Sequence, residues 1–246
     1  MMVSKKSAII IPARFASARL PGKVLIEIEG KPIVQWVYER AKQSVADEVF
    51  VATDDEKVFR KVIEFGGECV MTSPSHPSGT DRIYEAVKKA CPDVEIIINV
   101  QGDEPLIPPS VINELISAMS ENDLEMVTVA VPCNRAEIAL NPNIVKVVTD
   151  TNSFALYFSR SEIPFLRGDG NDMKLLRHWG IYAYNRKTLE KFVSLPESDL
   201  EKCEKLEQLR AIENGIRIFV AITDKTTIGI DTAEDLETLK KFLKAK

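Results

Sequence analysis

The first half of this sequence alternates short apolar segments with longer amphipathic ones, and this alternation constrains the fold more than any other feature. Segments such as Ala8–Ile11 and Ile96–Ile98 are almost continuously apolar, which is typical of strands buried on both faces of a parallel sheet. The pattern predicts strands at Ala8–Ile11, Glu48–Ala52, Glu68–Met71 and Val94–Val100, and helices at Ile33–Gln43, Asp55–Phe65, Gly79–Ala90 and Pro109–Ser120. We therefore expect right-handed crossover connections and a doubly wound α/β fold with a mostly parallel sheet.

The pattern changes near residue 126, where strand-like segments follow one another with few long helices between them. This change predicts an added lobe of mixed or antiparallel strands, with a mobile surface loop at Leu166–Lys174. The predicted strands of the second half are Met126–Val131, Ile144–Thr149, Phe154–Phe158, Ile181–Tyr184 and Ile216–Ala221, and the helices are Arg186–Val193, Lys205–Glu213 and Thr232–Lys244.

Composition excludes several classes of protein. The net charge of −5 argues against a general nucleic-acid binder, although a local basic site stays possible. No apolar run approaches the roughly 18 residues of a membrane span, and Arg14 interrupts the N-terminal apolar stretch too early for a signal peptide. The four cysteines form no CxxC pair and there are two histidines, so we expect free thiols in a reducing cytoplasm and no zinc site.

Three cations, Arg14, Arg19 and Lys23, lie in the segment that leaves the first predicted strand. Ligands bind at the carboxyl ends of strands in open α/β sheets, and arginine and lysine suit a polyphosphate there. The alternative is a solvated surface loop. The chain has neither a Walker A loop nor a G-x-G-x-x-G motif, which weighs against a dinucleotide enzyme.

Asp103 follows the fourth predicted strand within Asn99–Pro105, next to Gly102. A carboxylate at this position could hold Mg²⁺ on nucleotide phosphates, but it needs a distant partner because Mg²⁺ usually takes one or two protein carboxylates. Asp231 is the candidate partner. Its alternative role is the N-cap of the last helix.

The turn Ser75–Arg82 leads into a predicted helix. Ser78 and Thr80 could cap that helix, which is the expected role of at least one of them, or the exposed amides and hydroxyls could contact a base or a ribose.

Taken together, these motifs resemble the CMP-Kdo synthetase family, the cytidylyltransferases that activate 3-deoxy-D-manno-octulosonate (Kdo) for lipopolysaccharide synthesis. CMP-sialic acid synthetases share a similar opening loop, but they usually have Lys-Asn where this chain has Lys23-Val24. The matching segments are IPARFASARLPGK, SHPSGTDR, NVQGDEP, NPNIVKVV, ALYFSRSEIPF, LRHWGIYAY, LEQLRAIENG and GIDTAEDLE, and they cover most of the chain in order.

The resemblance implies a single Rossmann-like nucleotidyltransferase domain over residues 1–246, which forms a homodimer. Its nucleotide-binding part would span about 1–127 and 213–246, and its sugar-binding and dimerisation lobe about 128–212. The reaction would be attack of the anomeric hydroxyl of Kdo on the α-phosphorus of CTP, giving CMP-Kdo and pyrophosphate. Positioning and charge neutralisation carry most of the catalysis in such transfers.

The resemblance also assigns residues to roles. Arg14, Arg19 and Lys23 would hold the triphosphate, and Asp103 and Asp231 would coordinate Mg²⁺. Around the nucleoside would lie Ala13, Ser78, Gly79 and Gln101. The sugar acid would contact Arg160, through its carboxylate, and His178, Tyr182, Glu207 and Gln208.

Two alternatives accompany this interpretation. His178 could be a structural histidine hydrogen-bonded within a strand, and His76 is interpreted as a loop residue. The chain could also be a different nucleotidyltransferase, or a nucleotide-binding protein without catalysis, since fold alone does not separate these classes.

Overall fold

The computed structural model describes residues 5–15, 20–167, 173–230 and 232–244. The predicted site residues Arg19 and Asp231, and residues 168–172 of the predicted mobile loop, lie outside these ranges. The strands are β1 (Ser7–Pro12), β2 (Glu27–Ile28), β3 (Lys31–Pro32), β4 (Glu48–Thr53), β5 (Cys69–Met71), β6 (Ile96–Asn99), β7 (Met126–Cys133), β8 (Lys146–Thr149), β9 (Ala155–Ser159), β10 (Leu175–Asn185) and β11 (Ile218–Ile222). The helices are α1 (Ile33–Ala41), α2 (Glu56–Glu64), α3 (Gly79–Ala90), α4 (Pro109–Glu121), α5 (Arg135–Ile138), α6 (Arg186–Ser194), α7 (Asp199–Glu204), α8 (Gln208–Glu213) and α9 (Ala233–Lys244).

The chain divides into two compact units. The first comprises residues Met1–Ile116 and Thr226–Lys246, and the second comprises Ser117–Lys225. We describe each unit by itself.

The first unit contains the parallel strands that the sequence predicts, in the order β5-β4-β1-β6. The strands β1 and β6 are buried almost throughout, because Ile9, Ile10, Ile97 and Ile98 have no exposed surface. The chain first builds outward from β1 through β4 to β5 and then returns to the other side of β1 with β6. This reversal creates a topological switch point between β1 and β6, where ligands bind in α/β sheets.

The second unit contains the mixed strands that the sequence predicts. Strand β7 pairs in parallel with β11 and antiparallel with β10, and β8 pairs antiparallel with both β10 and β9. The α/β fold class, with parallel strands in one part and mixed strands in the other, is therefore confirmed.

Strand β10 is longer than predicted. The sequence analysis placed a strand at Ile181–Tyr184, whereas β10 begins at Leu175. The first half of this strand was not predicted because Arg177 and His178 interrupt the apolar pattern. The pairing with β7 also shifts between Trp179 and Tyr182, so one simple alternation does not run through the whole strand.

The predicted helix Lys205–Glu213 is α8, which begins three residues later than predicted, and the separate helix α7 before it was not predicted. Helix α7 begins at a capping box formed by Ser198 and Glu201, and its C-cap is Lys205, which adopts the left-handed conformation with φ 55°. Helix α8 starts only at Gln208. Lysine carries no sequence signal for a left-handed turn, since glycine and asparagine are the usual residues there.

Helix α9 begins as predicted, and Thr232 forms its cap. Thr232 Oγ1 accepts a hydrogen bond from the Asp235 backbone N–H at 3.2 Å, and the Asp235 carboxylate accepts one from the Thr232 N–H at 2.8 Å. This reciprocal pair is a capping box. The structure therefore gives the capping role to Thr232, the residue after Asp231.

Candidate active site

Strand β1 ends at the point where the first predicted ligand residues begin. The Ala13 N–H donates to the Ala52 carbonyl at 2.9 Å, and Ala13 is fully buried. This bond continues the pairing of β1 with β4 by one residue and holds the backbone before Arg14. Arg14 Nη2 in turn donates to the His76 carbonyl at 3.3 Å, so Arg14 is held between the end of β1 and the turn before α3.

The loop after β6 approaches the end of β1 so closely that it requires a glycine. A Cβ at Gly102 would lie 2.8 Å from the Pro12 carbonyl oxygen, which is too close for any real contact. The next residue, Asp103, accepts a hydrogen bond at its backbone carbonyl from the Ile230 N–H at 2.9 Å. The position of Asp103 is therefore set from two sides, by the end of β1 and by the segment before α9.

Lys23 and Asp103 form an ion pair at this edge of the sheet. Lys23 Nζ lies 2.5 Å from Asp103 Oδ2 and also donates to the Ile230 carbonyl at 3.0 Å. Gly22 precedes Lys23 in the left-handed conformation, with φ 69°, and leads into a short 3-10 turn over Lys23–Leu25. The Asp103 side chain is 27% exposed, so solvent and ligands can reach the carboxylate.

Ser78 caps helix α3, which is one of the two roles that the sequence left open. Its Oγ accepts hydrogen bonds from the backbone N–H groups of Thr80 and Asp81 at 3.1 and 3.2 Å, and it donates to the Asp81 carboxylate at 2.6 Å. The expectation that Ser78 or Thr80 caps the helix is confirmed. The hydroxyl of Ser78 is engaged in the cap, which leaves the backbone of Ser78 and Gly79 as the groups that could face a nucleoside.

A cavity of about 250 Å³ lies at the carboxyl ends of β1 and β6. It brings together four of the residues predicted for the nucleotide site and Asp103, which was predicted as a metal ligand. The lining residues are Pro12, Arg14, Lys23, Val24, Gly79, Gln101, Gly102 and Asp103. Ala13 and Ser78, which the sequence also assigned to this site, do not line the cavity, but each is the sequence neighbour of a residue that does. Pro12, Val24 and Gly102 line it without having been predicted.

Metal binding in this unit depends on the carboxylate of Asp103. No group of three or more His, Cys, Asp or Glu residues that could hold a metal occurs among the described residues. Lys23 occupies Oδ2 of Asp103, while Oδ1 accepts no hydrogen bond from the described part of the chain. One hard oxygen donor facing a cavity is what Mg²⁺ uses when it keeps several of its waters. Asp103 therefore fits a Mg²⁺ ligand that needs a second carboxylate.

The turn before α3 is anchored by a glutamate that the sequence analysis did not single out. Glu85 binds the His76 ring, the Ser73 N–H at 2.9 Å and Lys89 Nζ at 2.6 Å. Burial raises the pKa of the Glu85 carboxyl, but the hydrogen bonds from Lys89, Ser73 and His76 outweigh burial and lower the pKa to about 2. His76 lies in the loop before α3, as predicted, and within this loop its ring is anchored by Glu85 while its carbonyl accepts a hydrogen bond from Arg14.

In the second unit, His178 and Tyr182 contact each other. The Tyr182 hydroxyl lies 2.9 Å from His178 Nε2, and the buried Thr128 hydroxyl lies 3.1 Å from the same nitrogen. Burial lowers the pKa of His178 to about 3 and raises the pKa of Tyr182 well above its ordinary value. Both side chains are therefore neutral near pH 7. The alternative of a histidine hydrogen-bonded within a strand describes this geometry, and contact with a sugar stays a prediction.

Arg160 is held by backbone carbonyls. Its Nε donates to the Glu204 carbonyl at 2.7 Å, Nη1 to the Pro142 carbonyl at 2.9 Å and Nη2 to the Lys205 carbonyl at 3.4 Å. A guanidinium has five N–H donors. Two of these donors therefore have no partner among the described residues and could bind a ligand.

The remaining two residues predicted for the sugar acid lie where α8 begins. Glu207 accepts a hydrogen bond from Arg210 Nη2 at 3.0 Å. Gln208 is 6% exposed, and its buried Nε2 has no hydrogen-bond partner in the described part of the chain. A buried amide nitrogen without a partner is costly, so the position favours a ligand that would accept from it.

Comparison with known proteins places these observations in one family. A family model described as cytidylyltransferase matches residues 8–218. A 3-deoxy-manno-octulosonate cytidylyltransferase from Thermodesulfovibrio yellowstonii is 50% identical over 246 aligned residues, which cover 95% of this chain and 96% of that protein. The protein of the same name from Saccharophagus degradans is 49% identical, with 96% of this chain and 98% of that protein covered.

A solved structure described as CMP:2-keto-3-deoxy-manno-octonic acid synthetase complexed with CTP has the same fold. It superposes with a TM-score of 0.92 at 44% identity, and the match covers 98% of this chain and 99% of that one. The resemblance seen in the sequence motifs is confirmed. The chain belongs to the cytidylyltransferase family and, within it, to the 3-deoxy-manno-octulosonate cytidylyltransferases, or CMP-Kdo synthetases.

Proposed function

We propose that this enzyme transfers the cytidylyl group of CTP to Kdo, giving CMP-Kdo and pyrophosphate. The observation that carries the proposal is the cavity at the switch point between β1 and β6, which is lined by Arg14, Lys23 and Asp103. The chain also belongs to the cytidylyltransferase family. Two cations beside a carboxylate suit a nucleoside triphosphate and its metal ion. We propose that the enzyme acts in the cytoplasm and that its product is used for lipopolysaccharide synthesis.

Phosphate charge would be neutralised by the residues at the end of β1 and in the turn after it. Arg14 and Lys23, together with Arg19, would hold the triphosphate and stabilise the departing pyrophosphate. Ala13, Ser78, Gly79 and Gln101 would contact the nucleoside, partly through backbone groups. Because Lys23 pairs with Asp103 in the structure, the cation is already held beside the carboxylate before substrate enters.

Mg²⁺ would be held by Asp103 and Asp231. When bound, the ion would neutralise part of the phosphate charge. We expect Asp103→Asn and Asp231→Asn each to lose most activity and to keep the fold, since an amide supplies a weaker ligand of similar shape. Isothermal calorimetry of Mg²⁺ with CTP-bound protein, beside circular dichroism and pyrophosphate release, tests this. Unchanged Mg²⁺ affinity and near-normal turnover in either variant would remove that residue from the site.

The sugar acid would bind in the second unit. The two unoccupied N–H groups of Arg160 match the two oxygens of a carboxylate, and Gln208 Nε2 would donate to a hydroxyl. His178 and Tyr182 would present neutral polar groups, and Glu207 would accept from sugar hydroxyls. Arg160 and Gln208 both carry N–H donors that have no partner in the described ranges.

Pyrophosphate release from a panel of nucleotides and sugar acids tests the function directly. We expect CTP with Kdo to turn over and CTP with N-acetylneuraminate to fail, because polar groups fitted to one sugar are left unpaired by another. Arg160→Ala should raise the KM for Kdo, lower turnover or both, at a cost of about 2–5 kcal/mol for an unpaired carboxylate. Calorimetric CTP affinity should stay unchanged. Faster turnover of the sialic acid would contradict the sugar assignment.

We also propose a homodimer formed by the lobe from about residue 128 to 185. Several large apolar side chains of the second unit are exposed, with Phe165 at 84%; the others in this stretch are Leu140, Leu156 and Met173. Exposed apolar groups of this size favour an interface. Light scattering should give twice the chain mass of 27.5 kDa at micromolar concentration, and a mass near 27.5 kDa would refute the dimer.

No helix of the described residues is long and apolar enough to cross a membrane.

A further inference from the structure

Glu204, the last residue of α7, binds Arg160 through both its side chain and its backbone. Glu204 Oε2 accepts a hydrogen bond from the Arg160 backbone N–H at 3.0 Å, and Oε1 accepts one from Ser159 Oγ at 2.6 Å. The Glu204 carbonyl also accepts from Arg160 Nε at 2.7 Å. A single glutamate therefore holds the main chain and the guanidinium of the same arginine.

The chain after Glu204 leads directly to the start of α8. Lys205 adopts the left-handed conformation, φ 55° and ψ 48°, and its carbonyl accepts from Arg160 Nη2 at 3.4 Å. This conformation is unfavourable for an L-residue, so surrounding contacts must hold it. Glu207 and Gln208 follow within three residues. The contacts of Glu204 thus connect Arg160 to the two other side chains that begin α8.

Lys146 supports the same arrangement from the protein interior. Its side chain is fully buried, and Nζ donates to the carbonyls of Arg160, Ile144 (2.7 Å) and Asn141 (3.1 Å). Burial lowers the pKa of Lys146, and the nearby Glu204 carboxylate opposes this effect. Two cations, Lys146 and Arg160, therefore lie close to one carboxylate that offsets their charge.

We propose that Glu204 is a positioning residue for the sugar acid, which aligns Arg160 with Glu207 and Gln208 before the substrate binds. The proposal rests on the proposed function, in which Arg160 binds the Kdo carboxylate. Three of the five N–H groups of Arg160 are bound by carbonyls, so the two left over point in a direction that the protein sets. A guanidinium held in this way loses little freedom when it takes a carboxylate with two bonds.

The variant Glu204→Gln tests the proposal in the full-length enzyme. The amide keeps the size of the side chain. Its NH₂ group, however, would face either the Ser159 hydroxyl or the Arg160 N–H, both of which donate to the carboxylate of Glu204. We expect the KM for Kdo to rise about tenfold and the KM for CTP to stay within about twofold, as loss of one charged hydrogen bond predicts. Glu213→Gln is the matched control, because it removes the same charge from the exposed end of α8, and its kinetics should equal those of the wild type.

A second variant keeps the test decisive if Glu204→Gln unfolds. Ser159→Ala removes the hydroxyl that donates to Glu204 and that accepts a hydrogen bond from the Ser161 N–H, and it should raise the KM for Kdo severalfold while the KM for CTP stays within about twofold. An unchanged KM for Kdo in Glu204→Gln, or in Ser159→Ala if Glu204→Gln unfolds, together with a raised KM in Arg160→Ala, would overturn this inference alone. Equal increases for Kdo and CTP would also overturn it, since they indicate a general structural defect. A wild type that does not use Kdo would instead overturn the proposed function.

Discussion

Gly102→Ala tests whether the close approach of β1 and the loop after β6 shapes the nucleotide cavity. The new Cβ would lie 2.8 Å from the Pro12 carbonyl oxygen and 3.6 Å from Ala13 Cα, while ordinary contacts begin near 3.4 Å. One segment must therefore move by roughly 0.6 Å, and neither can rotate away because the blocking atom is backbone. Overpacking of this kind costs about 1–3 kcal/mol of unfolding free energy.

The same shift should lower activity, because it separates Arg14 at the end of β1 from Asp103 after β6. A misplacement of about 1 Å can cost two orders of magnitude in rate, so we expect turnover to fall about tenfold or more. Urea unfolding measures stability, and pyrophosphate release measures turnover. Gly229→Ala is the stability control, since a Cβ there meets no atom within 4 Å. Wild-type stability and turnover in Gly102→Ala would refute the reasoning.

Three further predictions concern ionisable groups. Burial lowers the pKa of His178 to about 3 from 6.5, so its imidazole NMR signals should not titrate between about pH 5 and 8. In the unfolded chain His178 takes up a proton near pH 6.5, so the stabilisation from neutral His178 is complete above this pH and is lost as the pH falls towards 3. The unfolding free energy of a His178→Gln variant should therefore decline less steeply than that of the wild type over this range, and an equally steep decline would contradict the prediction. Glu85→Gln should raise the KM for CTP severalfold, measured by pyrophosphate release, because Glu85 anchors His76, whose carbonyl binds an arginine of the cavity. Arg82→Met should lower the unfolding free energy in urea by about 3 kcal/mol, because it leaves the partly buried Asp54 without its ion pair; a loss below about 1 kcal/mol would show that the pair matters little.

The parallel part of the fold could be predicted from local sequence. The apolar strand Ala8–Ile11 is β1, extended by one residue at each end, and the strand predicted at Val94–Val100 is β6, which is shorter and spans Ile96–Asn99. The start of α3 was also visible, because Ser78 carries the polar oxygen that a cap requires. These features depend on residues close in the chain, so their physical cause lies within a short window of sequence.

The second unit was predicted less well because its elements depend on distant contacts. Nothing local marks Lys205 as the residue where α7 ends, since its left-handed conformation accompanies a hydrogen bond from Arg160 to its carbonyl. Lys146 lies in the predicted strand Ile144–Thr149, and lysine is seldom fully buried in proteins. It is buried because three carbonyls, one of them from Arg160, satisfy its ammonium group.

The family, the parallel strands β1, β4, β5 and β6 and the cationic and acidic side chains near their carboxyl ends could be inferred from the sequence, whereas the short strands β2 and β3 were missed. The inferred features follow from motifs and from apolar periodicity, which are properties of neighbouring residues. Which of these side chains lie together depends on tertiary packing. It paired Lys23 with Asp103, 80 residues apart, and it placed Gly102 against Pro12. It also joined Arg160 to Glu204, 44 residues along the chain. Such pairs depend on how strands and turns pack, and no spacing in the sequence encodes that packing directly.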